Sequence, residues 1–286
     1  MNPYERFVSE FARIVSQAKA YPLGGLAMPA RQKPADDAPR VLIFSPHPDD
    51  EVIIGALPLR LLRELNWNVI NVAVTLGSSK KRQRERWKEL EACCGYIGFG
   101  LLATGENGLE HINPQARAEK PAEWAKSVER VAEILAGQKP QAIFFPHDDD
   151  WNITHLGTHH LVMDALSKLG GGFSCYAVET EFWGAMDTPN LVVESSEQDI
   201  VDLITALSFH VGEVKRNPYH LRMPAWLMDN VRRGGELVGG QGGAAPDFLF
   251  GTLYRLRRWA KGRLEAVIDK GRFISRGDDL KKLLPV

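Results

Sequence analysis

The sequence predicts an α/β fold with a mainly parallel sheet and an elaborated C-terminal segment, and three observations predict it. Short runs such as Val41-Leu42-Ile43-Phe44 and Ala142-Ile143-Phe144-Phe145 are apolar throughout, the composition of strands buried on both faces. These runs alternate with stretches of helical apolar spacing, the order of βαβ units. Each of the two runs also ends in a cluster of His and Asp. That places polar chemistry at the carboxyl ends of strands, where open parallel sheets bind ligands.

The elements follow in order. Residues 3–19 form an amphipathic helix with Phe7, Phe11, Ile14 and Val15 on one side. Residues 21–39, rich in Pro, Gly and Ala, read as an extended linker. After the first strand, residues 52–65 have helical spacing and residues 68–75 form a second strand. Two amphipathic helices, 83–97 and 124–135, precede the strand at 142–145, and a further helix starts at residue 155 and reaches 169. Beyond Gly170 come strands at 174–178 and 190–194 and a helix over 197–209. Residues 210–246, rich in Gly, Pro and Arg, read as a long loop; structureless loops of that length are uncommon, which favours a role as a substrate lid, and its Arg216, Arg222, Arg232 and Arg233 read as solvated charges with receipt of a phosphate or carboxylate as the alternative. The basic stretch Arg255, Arg257, Arg258, Lys261 and Arg263, interleaved with Tyr254 and Trp259, reads as a solvated helix face, with a contact to phosphate or an anionic substrate as the alternative. Three parts result: residues 1–39 as helix and linker, 40–209 as the α/β catalytic domain, and 210–286 as an extension completing the substrate pocket.

Composition narrows the function. The 286 residues carry 35 Lys and Arg against 36 Asp and Glu, a net charge of −1, so nothing calls for nucleic acid or an anionic membrane. No apolar run is long enough for a membrane span, and no secretory leader is evident. Three cysteines make no disulfide framework, as expected of small buried residues in a reducing compartment. A cytoplasmic enzyme acting on a small molecule is the expectation, and a homo-oligomer is compatible with it.

The chemistry lies in the two clusters. His47 and Asp50 stand three apart in Pro46-His47-Pro48-Asp49-Asp50-Glu51, at a strand-to-helix turn where an imidazole and a carboxylate can converge on one cation. Pro48 stiffens that turn. Acids before a helix also serve as simple caps, so this cluster alone is ambiguous. The second cluster, His147-Asp148-Asp149-Asp150-Trp151-Asn152-Ile153-Thr154-His155, resolves the ambiguity towards a metal site. His155 and His159 are four apart and share a helical face, but spacing does not choose among His147, His155 and His159 as a further ligand. Two histidines and a carboxylate suit zinc, and also Fe2+. A non-catalytic sugar- or nucleotide-binding module is the rival reading. Against it, the first strand is followed by acids rather than the glycine-rich turn that cradles phosphate.

The run Ser45-Pro46-His47-Pro48-Asp49-Asp50-Glu51, followed by Gly55, resembles the signature of the LmbE-like, or PIG-L, family of zinc N-deacetylases. Asn152-Ile153-Thr154-His155 is similar to that family's second motif, His-Pro-Asp-His. The resemblance implies a Rossmann-like three-layer fold and hydrolysis of the amide of an N-acylated sugar or glycoconjugate such as an N-acetylglucosamine derivative; an amidase of non-sugar amides is the near alternative. It further implies zinc on His47, Asp50 and His155, and Asp49 as general base. Arg86 with Glu89 resembles a pair that sets an arginine near substrate, and Asp150 matches an acidic position before the second motif. Two departures stand out. The second motif opens on Asn152 where the family has a histidine that stabilises the transition state; an amide can donate to an oxyanion but cannot deliver a proton. His147 or His159 is therefore expected to share in returning the proton. In the opening helix, Leu57 and Pro58 replace small residues, and Pro58 is expected to kink the helix and reshape a pocket wall.

Overall fold

The computed structural model describes residues 2–31 and 33–286. Helix α1 (Pro3–Ala18) has no buried residue. Its stripe of Tyr4, Phe7, Val8, Phe11 and Ile14 stays 49–72% exposed, so the amphipathic helix forms but does not pack on the body. The chain then runs without regular structure to β1 (Arg40–Ser45); Gln32, within the expected linker, lies outside the described residues.

In β1, Val41 and Ile43 enter one apolar core while Leu42 and Phe44 enter another. A strand with a core on each face has no polar side, hence the unbroken apolar run. Next come α2 (Asp50–Ile53), α3 (Ala56–Leu65), β2 (Asn68–Ala73), α4 (Lys80–Ile97) and β3 (Gly100–Ala103). β2 lies parallel beside β1, and β3 beside β2. The chain crosses back through α5 (Pro114–Glu119) and α6 (Pro121–Gln138) to β4 (Ala142–Pro146), which pairs in parallel with the other edge of β1. Helix α7 (Ile153–Leu169) leads to β5 (Cys175–Thr180), parallel to β4. Leu57 and Leu61 of α3 with Cys93 and Ile97 of α4 cover one face of the sheet. Val131 and Leu135 of α6 with Leu161 and Ala165 of α7 cover the other. The result is a three-layer α/β fold whose strand order turns around between β1 and β4.

The remaining chain is β6 (Leu191–Ser195), α8 (Glu197–Leu207), α9 (Val211–Arg216), α10 (Met223–Leu237), β7 (Phe250–Ala260), β8 (Arg263–Ala266) and β9 (Arg272–Ile274). The nine strands form one sheet in the order β3-β2-β1-β4-β5-β7-β6-β9, with β8 on β7. Two expectations are corrected here. The basic stretch is not a helix face: Arg255, Arg257 and Arg258 lie in β7, antiparallel to both β5 and β6, while Lys261 is in the turn that follows and Arg263 opens β8. Alternation sends Tyr254 and Leu256 into one core and puts Trp259 in the other. Arg255 and Arg257 both reach the buried carboxylate of Glu179, Arg255 through two bonds of 2.6 and 2.8 Å. A buried acid on the neighbouring strand thus makes room for arginines inside a sheet. The segment 210–246 is not a structureless loop either. It holds α9, a 3-10 turn at Tyr219–Arg222 and α10, which buries Met223, Leu227 and Val231 at helical spacing.

The helix after the first motif does break, but not at Pro58. Pro58 is the third residue of α3, where the missing N–H would have no helical acceptor anyway. Leu57 and Pro58 pack into the body, away from the cavity described below. The break is at Gly55, with φ of 81°, lying so close to β7 that a Cβ would sit 1.9 Å from Thr252 Oγ1. A side chain there faces both backbone strain and a clash, so Gly55→Ala should cost about 3 kcal/mol in urea denaturation. Adding Thr252→Ala should recover part of that loss; an unchanged midpoint for the single variant would refute this account of the break.

Candidate active site

The turn leaving β1 closes on itself. The His47 N–H donates to Asp50 Oδ2 at 2.9 Å, and the Asp50 N–H donates to the His47 carbonyl at 3.3 Å. Asp49 sits at φ of 114°, a conformation that costs a non-glycine residue about 1–3 kcal/mol and so must be held. The holder is Glu51, whose Oε2 accepts from the Asp49 N–H at 2.9 Å. Glu51 is fully buried, and its Oε1 accepts from His210 Nε2 at 2.7 Å, also fully buried. Burial opposes protonation of His210, but the facing Glu51 carboxylate raises its pKa above the ordinary value. Glu51 is thus an internal strut rather than a group facing the cavity.

The turn leaving β4 is tied down in the same manner. Asp150 Oδ1 accepts from the Asn152 N–H at 2.8 Å, and Asn152 Oδ1 caps α7 by accepting from the Thr154 N–H at 2.9 Å. Asp150 Oδ2 accepts from His155 Nδ1 at 2.8 Å, which leaves Nε2 as the free nitrogen of that ring. His155 Nε2 lies 3.5 Å and His47 Nδ1 3.4 Å from the same oxygen, Asp50 Oδ2. His47, Asp50 and His155 can therefore offer three donor atoms within 4.8 Å of one another. Two imidazole nitrogens and one carboxylate oxygen form a donor set suited to zinc, and a carboxylate behind one imidazole is the usual orienting partner of such a ligand. The residues present fit a divalent cation.

The electrostatics agree with that fit. Burial would raise the Asp50 pKa, yet His155 and His47 together hold it well below the usual carboxylate range. Burial would lower the His155 pKa, but Asp50 and Asp150 push it up to about 10. A proton thus sits where a cation would. Asp49 stands beside this group: burial, with Asp50 adding to it, raises its pKa to about 6. The Tyr219 hydroxyl donates to Asp49 Oδ2, and Arg86 Nη2 donates to the Pro48 carbonyl at 2.9 Å.

These groups open on a cavity of about 1250 Å3, lined among others by His47, Asp49, Asp50, Arg86, Asn152 and His155. The other three candidates lie elsewhere. Asp150 sits behind His155. His147 accepts the Asp149 N–H at Nδ1 and donates from Nε2 to the Gly184 carbonyl at 3.0 Å. His159 Nδ1 donates to the Pro146 carbonyl at 2.9 Å. Neither histidine lines the cavity, so the expectation that one of them replaces the missing motif histidine is corrected: backbone carbonyls have claimed both rings. His159 does stand close to Asp148 and Glu179, but Glu179 is neutralised by Arg255 and Arg257. Two further residues were not visible as site residues in sequence. His210 and Tyr219 come from the segment read as a loop, and Tyr219 packs edge-on to Trp183 at 5.6 Å.

Because a cation must displace the proton that Asp50 and Asp150 favour on His155, its affinity should fall about tenfold for each unit of pH below 10, with a proton released on uptake. Zinc titrations in buffers of differing ionisation enthalpy check both. Affinity independent of pH between 6 and 9 would contradict His155 as a ligand.

Comparison with known proteins supplies the context. Residues 42–166 match the family model described as "PIG-L: GlcNAc-PI de-N-acetylase". No curated protein matches the chain in sequence. Among solved structures, the N,N'-diacetylchitobiose deacetylase from Pyrococcus horikoshii superposes with a TM-score of 0.55 at 18% identity, covering 92% of this chain and 94% of that one. The 4-carboxy-2-hydroxymuconate hydratase GalB from Pseudomonas putida KT2440 gives 0.57 at 14%, covering 76% and 95%. A zinc-inhibited teicoplanin deacetylase gives 0.51 at 15%, covering 77% and 98%. At such identities the likeness is one of fold. The matched segment begins in β1, ends in α7 and contains both clusters; residues 42–166 of this chain form a PIG-L (LmbE-like) domain.

Proposed function

We propose that this chain is a metal-dependent N-deacetylase acting on an N-acetylated sugar or glycoconjugate, N-acetylglucosamine derivatives being the first to test. The observation that carries the reading is the convergence of His47, Asp50 and His155 beside Asp49 on one wall of a large cavity. The family description and the deacetylases that share the fold support it.

In this reading His47, Asp50 and His155 hold zinc, with Fe2+ as the other cation the donor set admits. When bound, the cation supplies Lewis acidity to the acyl carbonyl and to water. Asp49 takes the proton from the attacking water and hands it to the departing amine; burial keeps its pKa within reach of neutrality, which suits both tasks. Tyr219 holds one Asp49 oxygen, which fixes the lone pair that the other presents. Asn152 spends its Oδ1 on capping α7, so its NH2 is what it can offer to a developing oxyanion. The three cysteines are buried and free, in keeping with a reducing compartment such as the cytoplasm. Among the described residues no helix is long and apolar enough to cross a membrane.

Acetate release from a panel of N-acetylated sugars and glycoconjugates should occur and should stop on adding a chelator. Protein fully loaded with zinc that releases no acetate from the panel would count against the proposal. Asp49→Asn should keep its cation and lose about 10³-fold in kcat; normal turnover would remove Asp49 from the base role. Tyr219→Phe should lose about tenfold, in kcat rather than KM, since it orients a base and does not bind substrate. A pure KM effect would instead place Tyr219 against the substrate.

A further inference from the structure

The part of the cavity lining that comes from α4, α9 and the turn before α10 is strongly cationic. Lys80, Arg82 and Arg86 of α4, Arg216 of α9 and Arg222 of the turn before α10 all line it. Apart from Asp49 and Asp50 beside the metal group, the lining carries two carboxylates, Glu110 and Glu213. Glu110 is taken by Lys80 at 3.0 Å. Glu213 is shared by Arg82 at 2.8 Å, Arg86 at 3.8 Å and Arg216. The Arg222 side chain makes no hydrogen bond or ion pair among the described residues. Five cations thus face two anions, an excess of three on one wall.

Lys80, Arg216 and Arg222 are exposed, but Arg82 and Arg86 are not simply solvated charges. Arg82 Nη2 and Arg86 Nε are buried with no acceptor, and leaving charged donors unmet is costly. Both guanidinium groups lie against glycines: a Cβ would meet Arg86 Nη1 at 2.2 Å from Gly77 and Arg82 Nη2 at 2.3 Å from Gly212. The first turn of α4 compounds the excess. It carries Lys80, Lys81 and Arg82 and no acid, and Ser79 makes no side-chain cap. A helix start already bears positive partial charge, so this arrangement disfavours itself unless an anion completes it.

We propose that the cavity takes N-acylated substrates bearing an anionic oxygen group, a phosphate or a carboxylate, which this wall receives. Arg86 also donates to the Pro48 carbonyl beside Asp49, so the cationic lining begins next to the proposed base, and Arg216 joins it through the shared Glu213. Since an acetyl group carries no charge, the anionic group belongs to the amine side of the substrate, on the sugar or its substituent. For turnover this rests on the deacetylase reading; for binding it does not.

The test uses full-length zinc-loaded protein and its Arg216→Gln/Arg222→Gln variant. Both side chains are exposed, so the pair is removable without opening the core. Acetate release is compared for N-acetylglucosamine, its 1-phosphate, its 6-phosphate and N-acetylmuramic acid. At least one anionic compound should exceed N-acetylglucosamine about tenfold in kcat/KM, and the variant should lose that preference through KM. A phosphate preference and a carboxylate preference both support the proposal and separate the two sources of charge. Rates for all three anionic compounds within threefold of the neutral sugar, or a preference that survives in the variant, would overturn it. If no compound releases acetate, the deacetylase reading fails, and calorimetry then decides the inference alone. Glucose 1-phosphate should bind at least tenfold tighter than glucose, an advantage the variant loses; equal binding would sink it.

Discussion

Parallel pairing of β1 with β4 through Val41, Leu42 and Ile43 is the constraint on which the site depends. The chain leaves β1 towards β2 on one side and returns to β4 on the other, which opens a crevice where the two carboxyl ends diverge. His47 and Asp50 hang from one end and His155 from the helix that follows the other. Some hundred residues of sequence separate them, yet their donor atoms fall within 4.8 Å. The apolar runs that read as buried strands are therefore also what assembles the donor group. Neither cluster could gather three ligands from its own turn.

Pairing sets the distance, and buried polar struts set the aim. Asp49 occupies a strained backbone conformation that persists because Glu51 takes its N–H and His210 takes Glu51. Asp150 similarly settles which nitrogen of His155 is free. His210 and Tyr219 both belong to the stretch between α8 and α10, so the part of the chain beyond the matched domain steadies the motif from two directions. Asp49, with its N–H held by Glu51 and one oxygen held by the Tyr219 hydroxyl, has little freedom left, which is the preorganisation that proton transfer requires.

The core of the fold was legible because a two-sided sheet leaves an unmistakable pattern: β1, β2 and β4 fell within a residue or two of the expected runs. Legibility failed where charge was hidden by tertiary pairing. β7 places Arg255 and Arg257 inside the sheet, and only Glu179 on the adjacent strand makes that tolerable. No local pattern announces such a partner. α10 was masked by its own Pro224 and Gly234, although Met223, Leu227 and Val231 recur at helical spacing. At the site, sequence named the groups on the two turns and the arginines of residues 210–246, but not Tyr219 and His210. Tyr219 and His210 carry no motif of their own; their roles exist only through Asp49 and Glu51. Pro58 was a false alarm of another kind, since a proline in a first turn removes a donor the helix does not use.

A fold shared by deacetylases and a hydratase does not choose a reaction. The choice has to be made by the groups facing the cavity, and here those groups separate into two functions. One wall concentrates acids and imidazoles around a cation-sized space, with a carboxylate of raised pKa ready to move a proton. The lining from α4 and α9 concentrates arginines, of which Arg82 and Arg86 keep buried donors without partners. A substrate satisfying both must present a polarisable carbonyl at one end and negative charge at the other. Asn152 fits that division. Where the resembled family has an ionisable histidine beside the reacting centre, this chain has a neutral amide already committed to capping α7. Positive charge here has moved from the second motif to α4 and α9, where it serves binding rather than proton transfer.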